Sequence, residues 1–270
     1  MPFRLLAVDV DGTLSTPGVG VPTDVLDALR DCAAAGVLVV IATGKHPFLI
    51  RHIAAAIVPP APVIACNGAI TIDLATDRII AASFIPPDDY LSLIKSLRHD
   101  RRIQLAVFTD RDIVCAAPNF ASNSLESIGE PTGRFLSDLT SLAAEPIFKV
   151  LVASPDSSVI QFLRRELTPL WESRFSITTS GRSFLEFMAP GVSKGAALAR
   201  LAADRRITRD QIVAIGDSEN DLSMFAVAGF PVAVANAIPA VLQAARLVVP
   251  SAADRGVRYA IDQLILGAGA

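Results

Sequence analysis

The chain has 270 residues, of which 51% are apolar, and a formal net charge of −3. This length suits one large domain or two moderate ones, and the small, mixed charge without a basic stripe argues against a nucleic-acid partner. No apolar run reaches the roughly 18 residues that indicate a membrane span, and three widely separated cysteines show neither metal-site nor disulfide spacing. We therefore expect a cytoplasmic protein with no membrane segment, whose cysteines are small buried side chains.

Two aspartates, Asp9 and Asp11, follow the first predicted strand, Leu5–Val8. Ligands of open α/β sheets bind at the carboxyl ends of the strands. Two carboxylates at such a place are costly unless a cation or a proton meets them. Taken alone, the Asp-Gly pair is equally consistent with an ordinary exposed turn.

Buried strands and helices then alternate, which predicts a parallel sheet. Thr23 is expected to cap the first helix and Gly36 to end it. The next elements are predicted at 37–42 (strand), 47–57 (helix) and 63–66 (strand). The same pattern resumes near the end of the chain, with elements at 193–203 (helix), 212–215 (strand), 219–228 (helix), 232–234 and 247–249 (strands) and 257–266 (helix).

The middle of the chain has a different pattern, with longer strands that pair in sequence and intervening helices. Strands are predicted near 80–85, 104–109, 113–116, 147–153, 176–179 and 184–188, and helices at 88–97 and 157–167. The segment 118–144 shows no clear periodicity. The sequence thus predicts an α/β fold: a Rossmann-like parallel-sheet core from residues 1–80 and 188–270, with an α+β domain, residues 81–187, inserted into it.

Three further groups of residues fall at strand ends or helix starts of the predicted core. Thr43 and Gly44 offer a hydroxyl and backbone amides at a helix N-terminus, where an anion is favoured. Lys194 lies in a first helical turn, where its charge opposes the helix dipole. Asp217 and Asp221 follow a buried strand. Each group also has an ordinary explanation as a cap, a solvated lysine or first-turn acids, but their joint occurrence at successive strand ends favours one site.

Together these residues form a set suited to phosphoryl chemistry. Asp9, Asp217 and a backbone oxygen can hold Mg²⁺, which takes one or two carboxylates together with water and a substrate phosphate. Thr43, Gly44 and Lys194 can neutralise phosphate oxygens. One carboxylate can attack phosphorus, and a second can protonate the leaving oxygen and then activate water.

Four motifs in order carry a resemblance to a known family. They are Asp9-Val10-Asp11-Gly12-Thr13-Leu14, Ala42-Thr43-Gly44, Lys194-Gly195 and Gly216-Asp217-Ser218-Glu219-Asn220-Asp221. On these motifs the chain resembles the haloacid dehalogenase superfamily of phosphohydrolases, and within it the Cof-type branch with a large type II cap. The resemblance covers the whole chain and implies that the inserted domain is a cap that closes over the substrate.

The resemblance also implies roles for the acidic residues. Asp9 would be the nucleophile and Asp11 the general acid/base. The Mg²⁺ ion would be held by the Asp9 carboxylate, the Asp11 carbonyl and Asp217, with Asp221 supporting the metal site.

A second set of residues would hold the phosphate by the same resemblance. It consists of Thr43, Gly44 and Lys194, with Asn220 close by, and Thr43 and Lys194 thereby take part in catalysis. The branch commonly has Arg where this chain has Lys45, a point charge instead of a planar fork. Lys45 is therefore a candidate substrate contact, and His46 beside it is expected to be solvated.

The resulting prediction is a phosphatase, a Mg²⁺-dependent enzyme that hydrolyses small phosphomonoesters, sugar phosphates or related metabolites, through an aspartyl-phosphate. Two alternatives stay open: a phosphomutase of the same superfamily and a non-catalytic phosphate-binding regulatory module. The partner is a small phosphorylated metabolite, without nucleic acid or membrane, and the protein is a monomer or homodimer. The sequence identifies neither the individual substrate nor the residues that select it.

Overall fold

A computed structural model describes residues 3–16, 19–127, 129–130 and 132–267. The chain forms two compact units, Met1–Ala81 with Ser193–Ala270 (the core unit) and Ala82–Val192 (the inserted unit). Within the described residues, no helix has the length and apolar character needed to cross a membrane. Cys32, Cys66 and Cys115 are buried and not disulfide-bonded.

Strands and helices are numbered along the chain. The strands are β1 Leu5–Val8, β2 Leu38–Ala42, β3 Val63–Ala65, β4 Ile70–Asp73, β5 Arg78–Ala82, β6 Gln104–Thr109, β7 Ile113–Cys115, β8 Arg134–Phe135, β9 Ile147–Ala153, β10 Ser176–Ser180, β11 Phe184–Met188, β12 Ile212–Gly216, β13 Phe230–Val234 and β14 Leu247–Val249. The helices are α1 Thr23–Ala34, α2 Pro47–Ala55, α3 Pro87–Leu97, α4 Phe120–Ser127, α5 Ser157–Trp171, α6 Lys194–Asp204, α7 Leu222–Val227, α8 Pro239–Ala244 and α9 Gly256–Ile261.

An eight-stranded sheet of order β14-β13-β12-β1-β2-β3-β4-β5 forms the core unit. The strands from β14 to β3 run parallel, and β4 returns antiparallel to β3. The residues of β1 and β12 are fully buried, as expected of strands covered on both faces. Val8 pairs with Ile215 of β12 and with Ile41 of β2. The carboxyl ends of these three strands therefore lie side by side, and the predicted parallel-sheet α/β core is confirmed.

A tight corner follows β3. Cys66 and Asn67 have left-handed backbone dihedrals, with φ of 46° and 56°, and Gly68 follows with φ of 97°. A Cβ atom at Gly68 would lie 2.2 Å from the carbonyl oxygen of Ser193. The corner thus packs directly against the start of α6. Because Cys66 belongs to this corner, β3 ends at Ala65, and the prediction that the strand reaches residue 66 is wrong.

Two other local predictions of the core unit are corrected. Thr23 does not cap α1: the N-cap residue is Pro22, with no side-chain cap, and Thr23 is already helical. The predicted strand at 80–85 is β5, Arg78–Ala82, the edge of the core sheet beside β4, a strand that the sequence pattern did not reveal. By contrast, Ser193 does cap α6: its hydroxyl accepts a hydrogen bond from the Ala196 amide at 3.1 Å.

The inserted unit has a six-stranded sheet of order β10-β11-β9-β6-β7-β8. All neighbours are antiparallel except β7 and β8. Met188 pairs with Lys149 of β9, and the inserted unit extends to Val192. The segment 118–144 contains α4, β8 and a 3₁₀ helix, Leu139–Ala144; residues 128 and 131 lie outside the described part. In the middle of the sheet, Lys149 Nζ lies 2.6 Å from Glu186 Oε1, and both side chains are buried.

Candidate active site

The strand ends of the core unit bring the predicted acidic residues together. Asp9 follows β1, and its amide donates a hydrogen bond to the Ile215 carbonyl at 3.1 Å. Asp217 follows β12, the neighbouring strand. One carboxylate oxygen from each of Asp9, Asp217 and Asp221 lies within 4.8 Å of the other two. Parallel pairing in register therefore produces the acidic cluster that the sequence predicts.

Lys194 lies within this acidic cluster. Its Nζ donates to Asp9 Oδ1 at 2.6 Å and to Asp221 Oδ1 at 2.7 Å, and its side chain is fully buried. The lysine comes from the first residue of α6, where its charge opposes the helix dipole. The carboxylates of Asp9 and Asp221 stabilise the ammonium of Lys194, which the helix dipole destabilises.

Asp221 also fixes the backbone that carries Asp217. Its Oδ2 accepts hydrogen bonds from the amides of Asp217 and Ser218, each at 3.0 Å. The Asp217 carboxylate in turn accepts from the Thr13 hydroxyl at 3.2 Å and from the Ser218 hydroxyl at 3.1 Å. Asp221 therefore holds the Asp217 backbone with one oxygen and contacts Lys194 with the other. Thr13 contacts the Asp217 carboxylate, a role that the sequence did not indicate.

Burial and mutual repulsion set the protonation of this cluster. Burial raises the pKa of Asp9 well above its usual range, and the neighbouring Asp221 and Asp217 add to this, while Lys194 opposes it. Burial, and then Asp221, raises the pKa of Asp217 to about 6. For Lys194, burial disfavours the ammonium, but Asp221 and Asp9 outweigh it and raise its pKa. The lysine is therefore charged, and two of the acids hold their protons more tightly than usual.

The donor set fits a divalent cation. Three carboxylates stand against one ammonium, so the fully ionised cluster carries a net charge of −2. Oxygen donors of this kind are those that Mg²⁺ prefers. A bound dication would neutralise the charge that burial makes costly.

The Thr43–Lys45 loop lies beside this cluster, after β2. The Thr43 amide donates to the Ile64 carbonyl at 2.8 Å, and the Thr43 carbonyl accepts from the Asn67 amide at 3.0 Å. The helix that follows, α2, begins at Pro47 as predicted, with His46 as its N-cap, so Thr43 and Gly44 lie in the loop that precedes its N-terminus. His46 is 2% exposed, so the expectation of a solvated histidine is wrong.

Lys45 and Asp11 meet at the end of this loop. Lys45 Nζ lies 3.1 Å from Asp11 Oδ2. The sequence named Lys45 as a candidate substrate contact, and the structure gives it a carboxylate partner two residues beyond Asp9. Asp11 itself is half exposed.

Asn220 and Asn67 complete the site. Asn220 Nδ2 donates to Asn67 Oδ1 at 3.0 Å, and a Cβ atom built on Gly44 would lie 3.2 Å from the same Asn67 oxygen. Asn220 Oδ1 is buried without a hydrogen-bond partner among the described residues. Asn67 was missed as a site residue because its sequence signal, a strand end followed by Asn-Gly, is also that of an ordinary turn.

Comparisons with known proteins agree with this site and fold. The family model for haloacid dehalogenase-like hydrolases matches residues 6–261. A putative phosphatase of Streptococcus pyogenes serotype M6, M6_Spy0533, is 30% identical over 98% of this chain and 100% of its own length. The 5-amino-6-(5-phospho-D-ribitylamino)uracil phosphatase YwtE of Bacillus subtilis is 29% identical, with 98% and 99% covered. The structure of TM0651 from Thermotoga maritima matches with a TM-score of 0.81 at 25% identity, over 97% of both chains.

An α/β core whose strand ends bring carboxylates together around a buried lysine from the start of α6 is the arrangement expected of a phosphohydrolase. The chain belongs to the haloacid dehalogenase-like hydrolases, and it is an enzyme of the phosphatase type. The membership predicted from the four motifs is thereby confirmed.

Proposed function

We propose that the protein hydrolyses small phosphomonoesters by transferring the phosphoryl group to Asp9 and then to water. The observation that carries the proposal is the Asp9 carboxylate, buried at the end of β1 with Lys194 Nζ at 2.6 Å from one oxygen. The other oxygen, Oδ2, would attack phosphorus. Burial supports this role because a carboxylate stripped of water is a stronger nucleophile than a solvated one.

The proposed reaction has two steps on this chain's own side chains. In the first, a bond forms between an Asp9 oxygen and phosphorus, the ester P–O bond breaks, and Asp11 gives its proton to the departing oxygen. In the second, Asp11 takes a proton from water, the water oxygen bonds to phosphorus, and the Asp9–phosphorus bond breaks. The products are an alcohol, inorganic phosphate and the original Asp9 carboxylate.

We assign phosphate binding to Thr43, Gly44, Lys194 and Asn220, with Lys45 nearby. The Thr43 hydroxyl and the Gly44 amide are donors of the kind that stabilise charge on transferring phosphoryl oxygens. Lys194 offsets the negative charge that would build up beside Asp9. The Asn220 side-chain amide has two N–H groups, and besides the one donated to Asn67 Oδ1 it can donate to a phosphoryl oxygen.

We assign a Mg²⁺ site to the Asp9 carboxylate, the Asp11 carbonyl and Asp217, braced by Asp221. When bound, the ion would neutralise negative charge on the phosphoryl oxygens and reduce their repulsion of the attacking carboxylate. The net charge of −2 that the cluster carries when fully ionised supports a dication at this place.

The proposed substrates are small phosphorylated metabolites, sugar phosphates or related compounds, in the cytoplasm. Relatives support this class: YwtE is named for a phosphorylated ribityl compound, and YbhA of Escherichia coli is a pyridoxal phosphate phosphatase at 27% identity. We also propose that the inserted unit, predicted as residues 81–187 and compact over Ala82–Val192, is the cap that selects among substrates.

A screen of phosphorylated metabolites with Mg²⁺ tests the proposal, with released inorganic phosphate as the readout. We expect turnover that chelation abolishes, and a phosphoryl label on the protein that Asp9→Asn eliminates. Activity of Asp9→Asn close to that of the parent would exclude the aspartyl-phosphate route. Transfer of the phosphoryl group back to sugar, with little free phosphate, would identify a phosphomutase instead.

A further inference from the structure

Lys45 and Asp11 form an ion pair in which the lysine side chain is mostly buried and the aspartate side chain is half exposed. Lys45 Nζ lies 3.1 Å from Asp11 Oδ2; the lysine side chain is 9% exposed and the aspartate side chain 50% exposed. A half-exposed carboxylate ordinarily samples several rotamers in water. A buried ammonium beside one of its oxygens restricts that freedom.

The backbone of Lys45 is fixed at both ends. Its amide donates to the Thr43 hydroxyl at 3.1 Å, and its carbonyl accepts from the Cys66 amide at 2.9 Å. Cys66 belongs to the left-handed corner after β3, which packs against the start of α6. The backbone of Lys45 is therefore held to the core sheet. Within the pair, it is the Asp11 side chain whose rotamer the contact restricts.

We propose that Lys45 is a positioning residue that holds the Asp11 carboxylate in place for proton transfer, and that it does not bind the substrate phosphate. This inference rests on the proposed function, in which Asp11 protonates the departing oxygen. The pair engages Oδ2 of Asp11 and leaves Oδ1 to carry the transferred proton. A misplacement of about 1 Å in such a group can cost up to about 100-fold in rate.

The two possible roles of Lys45 differ in their dependence on the leaving group. A cation that binds phosphate acts on every phosphomonoester alike, because the phosphoryl group is common to all of them. A cation that acts through Asp11 matters for alkoxide leaving groups, which need a proton, and matters little for nitrophenolate, which departs without one. The value of kcat/KM reports the steps up to this departure.

The first experiment measures kcat/KM of Lys45→Met with a sugar phosphate that the enzyme hydrolyses and with p-nitrophenyl phosphate. We expect a fall of about 10- to 100-fold for the sugar phosphate and of less than about threefold for the aryl ester. Lys45→Arg should recover most of the sugar-phosphate activity, since it restores a cation. Lys95→Met, at an exposed position of α3, is the matched control, and Lys45→Gln replaces Lys45→Met if the latter does not fold.

The second experiment combines the substitution with Asp11→Asn. If Lys45 acts through Asp11, the double variant is no slower than Asp11→Asn to within about twofold, because the two losses are not independent. Equal losses of Lys45→Met on both substrates, or losses that multiply in the double variant, would overturn the assignment while Asp11→Asn still discriminates between leaving groups. If Asp11→Asn itself spares the sugar phosphate, the proposed function fails, and this inference fails with it.

Discussion

Lys194 joins Asp9 to Asp221: its ammonium lies 2.6 Å from an oxygen of the first and 2.7 Å from an oxygen of the second. All three side chains are buried, so the lysine balances charge that water cannot reach. The same contact connects the proposed nucleophile to the residue that braces the Asp217 backbone.

Lys194→Met should therefore impair both stability and activity. At pH 7.5 without divalent cations, we expect the free energy of unfolding to fall by about 3 kcal/mol, since removal of one partner leaves buried carboxylates uncompensated. The fall should be smaller at pH 5, where the remaining acids can take up protons. Phosphatase kcat/KM with Mg²⁺ should drop by at least about 100-fold. Urea unfolding and phosphate release measure these effects, with Lys95→Met as the control; activity within about threefold of the parent would contradict the assigned role.

Gly68 and Gly36 offer a matched pair of substitutions. Both have positive φ, 97° and 86°, so alanine at either position costs about 1–2 kcal/mol in backbone strain. At Gly36 an added Cβ meets nothing within 4 Å, whereas at Gly68 it would lie 2.2 Å from the Ser193 carbonyl oxygen.

Gly68→Ala should accordingly destabilise the protein by at least about 2 kcal/mol more than Gly36→Ala. It should also reduce kcat/KM, because the clash displaces the corner from the start of α6, where Lys194 lies. Gly36→Ala should leave kcat/KM unchanged. Equal melting temperatures and equal activities of the two variants would show that the contact between the corner and α6 has no energetic importance.

Much of the site follows from the sequence by a single rule. Parallel strands end at a common edge, so the residues after β1, β2 and β12 had to be neighbours. Asp9, Thr43 and Asp217 could be assigned to that edge because the apolar runs before them are continuous and short. The strand-helix alternation also predicted the parallel part of the core sheet, from β14 to β3.

Other features depend on contacts that local sequence does not encode. The partners of Lys194 lie 185 and 27 residues away, so only its conflict with the helix dipole was visible. The edge strand β5 carries exposed isoleucines, Ile79 and Ile80, which obscured the alternation expected of a strand at a sheet edge. The left-handed conformation of Cys66 is imposed by packing, because its residue type does not favour it.

The junctions between the two compact units should be the first sites of proteolysis. Ala82 and Gly191 are both exposed, and the segments near them connect separately packed units. We expect limited digestion to cut near 83–84 and 190–191 before it cuts inside either sheet. Mg²⁺ with a phosphate analogue should slow these cuts if the inserted unit is a cap. Mass spectrometry of early fragments measures this; early cuts spread evenly through both sheets would contradict the two-unit organisation.

Asp217 should make the free energy of unfolding fall as the pH rises, and a bound divalent cation should reverse this fall. Burial and then Asp221 raise its pKa from 3.8 to about 6, so the folded protein retains a proton that the unfolded chain releases between these values. The contribution of Asp217 to the free energy of unfolding therefore falls as pH rises through this window, and the loss is complete above about pH 6. Its size is on the order of 1–3 kcal/mol.

Asp217→Asn isolates this contribution, because asparagine does not titrate. In excess chelator, the parent should lose on the order of 1–3 kcal/mol relative to Asp217→Asn between pH 4 and 6.5. Millimolar Mg²⁺ should restore stability to the parent at pH 6.5, where the carboxylate is ionised and able to bind the ion, and should restore little at pH 4. Asp217→Asn should show a much smaller response to Mg²⁺ at both values. Urea unfolding of both proteins at pH 4 and pH 6.5, in chelator and in Mg²⁺, measures the stabilisation by Mg²⁺ of each protein at each pH. If the free energy of unfolding of parent and variant depends on pH in the same way in chelator, the raised pKa of Asp217 is refuted.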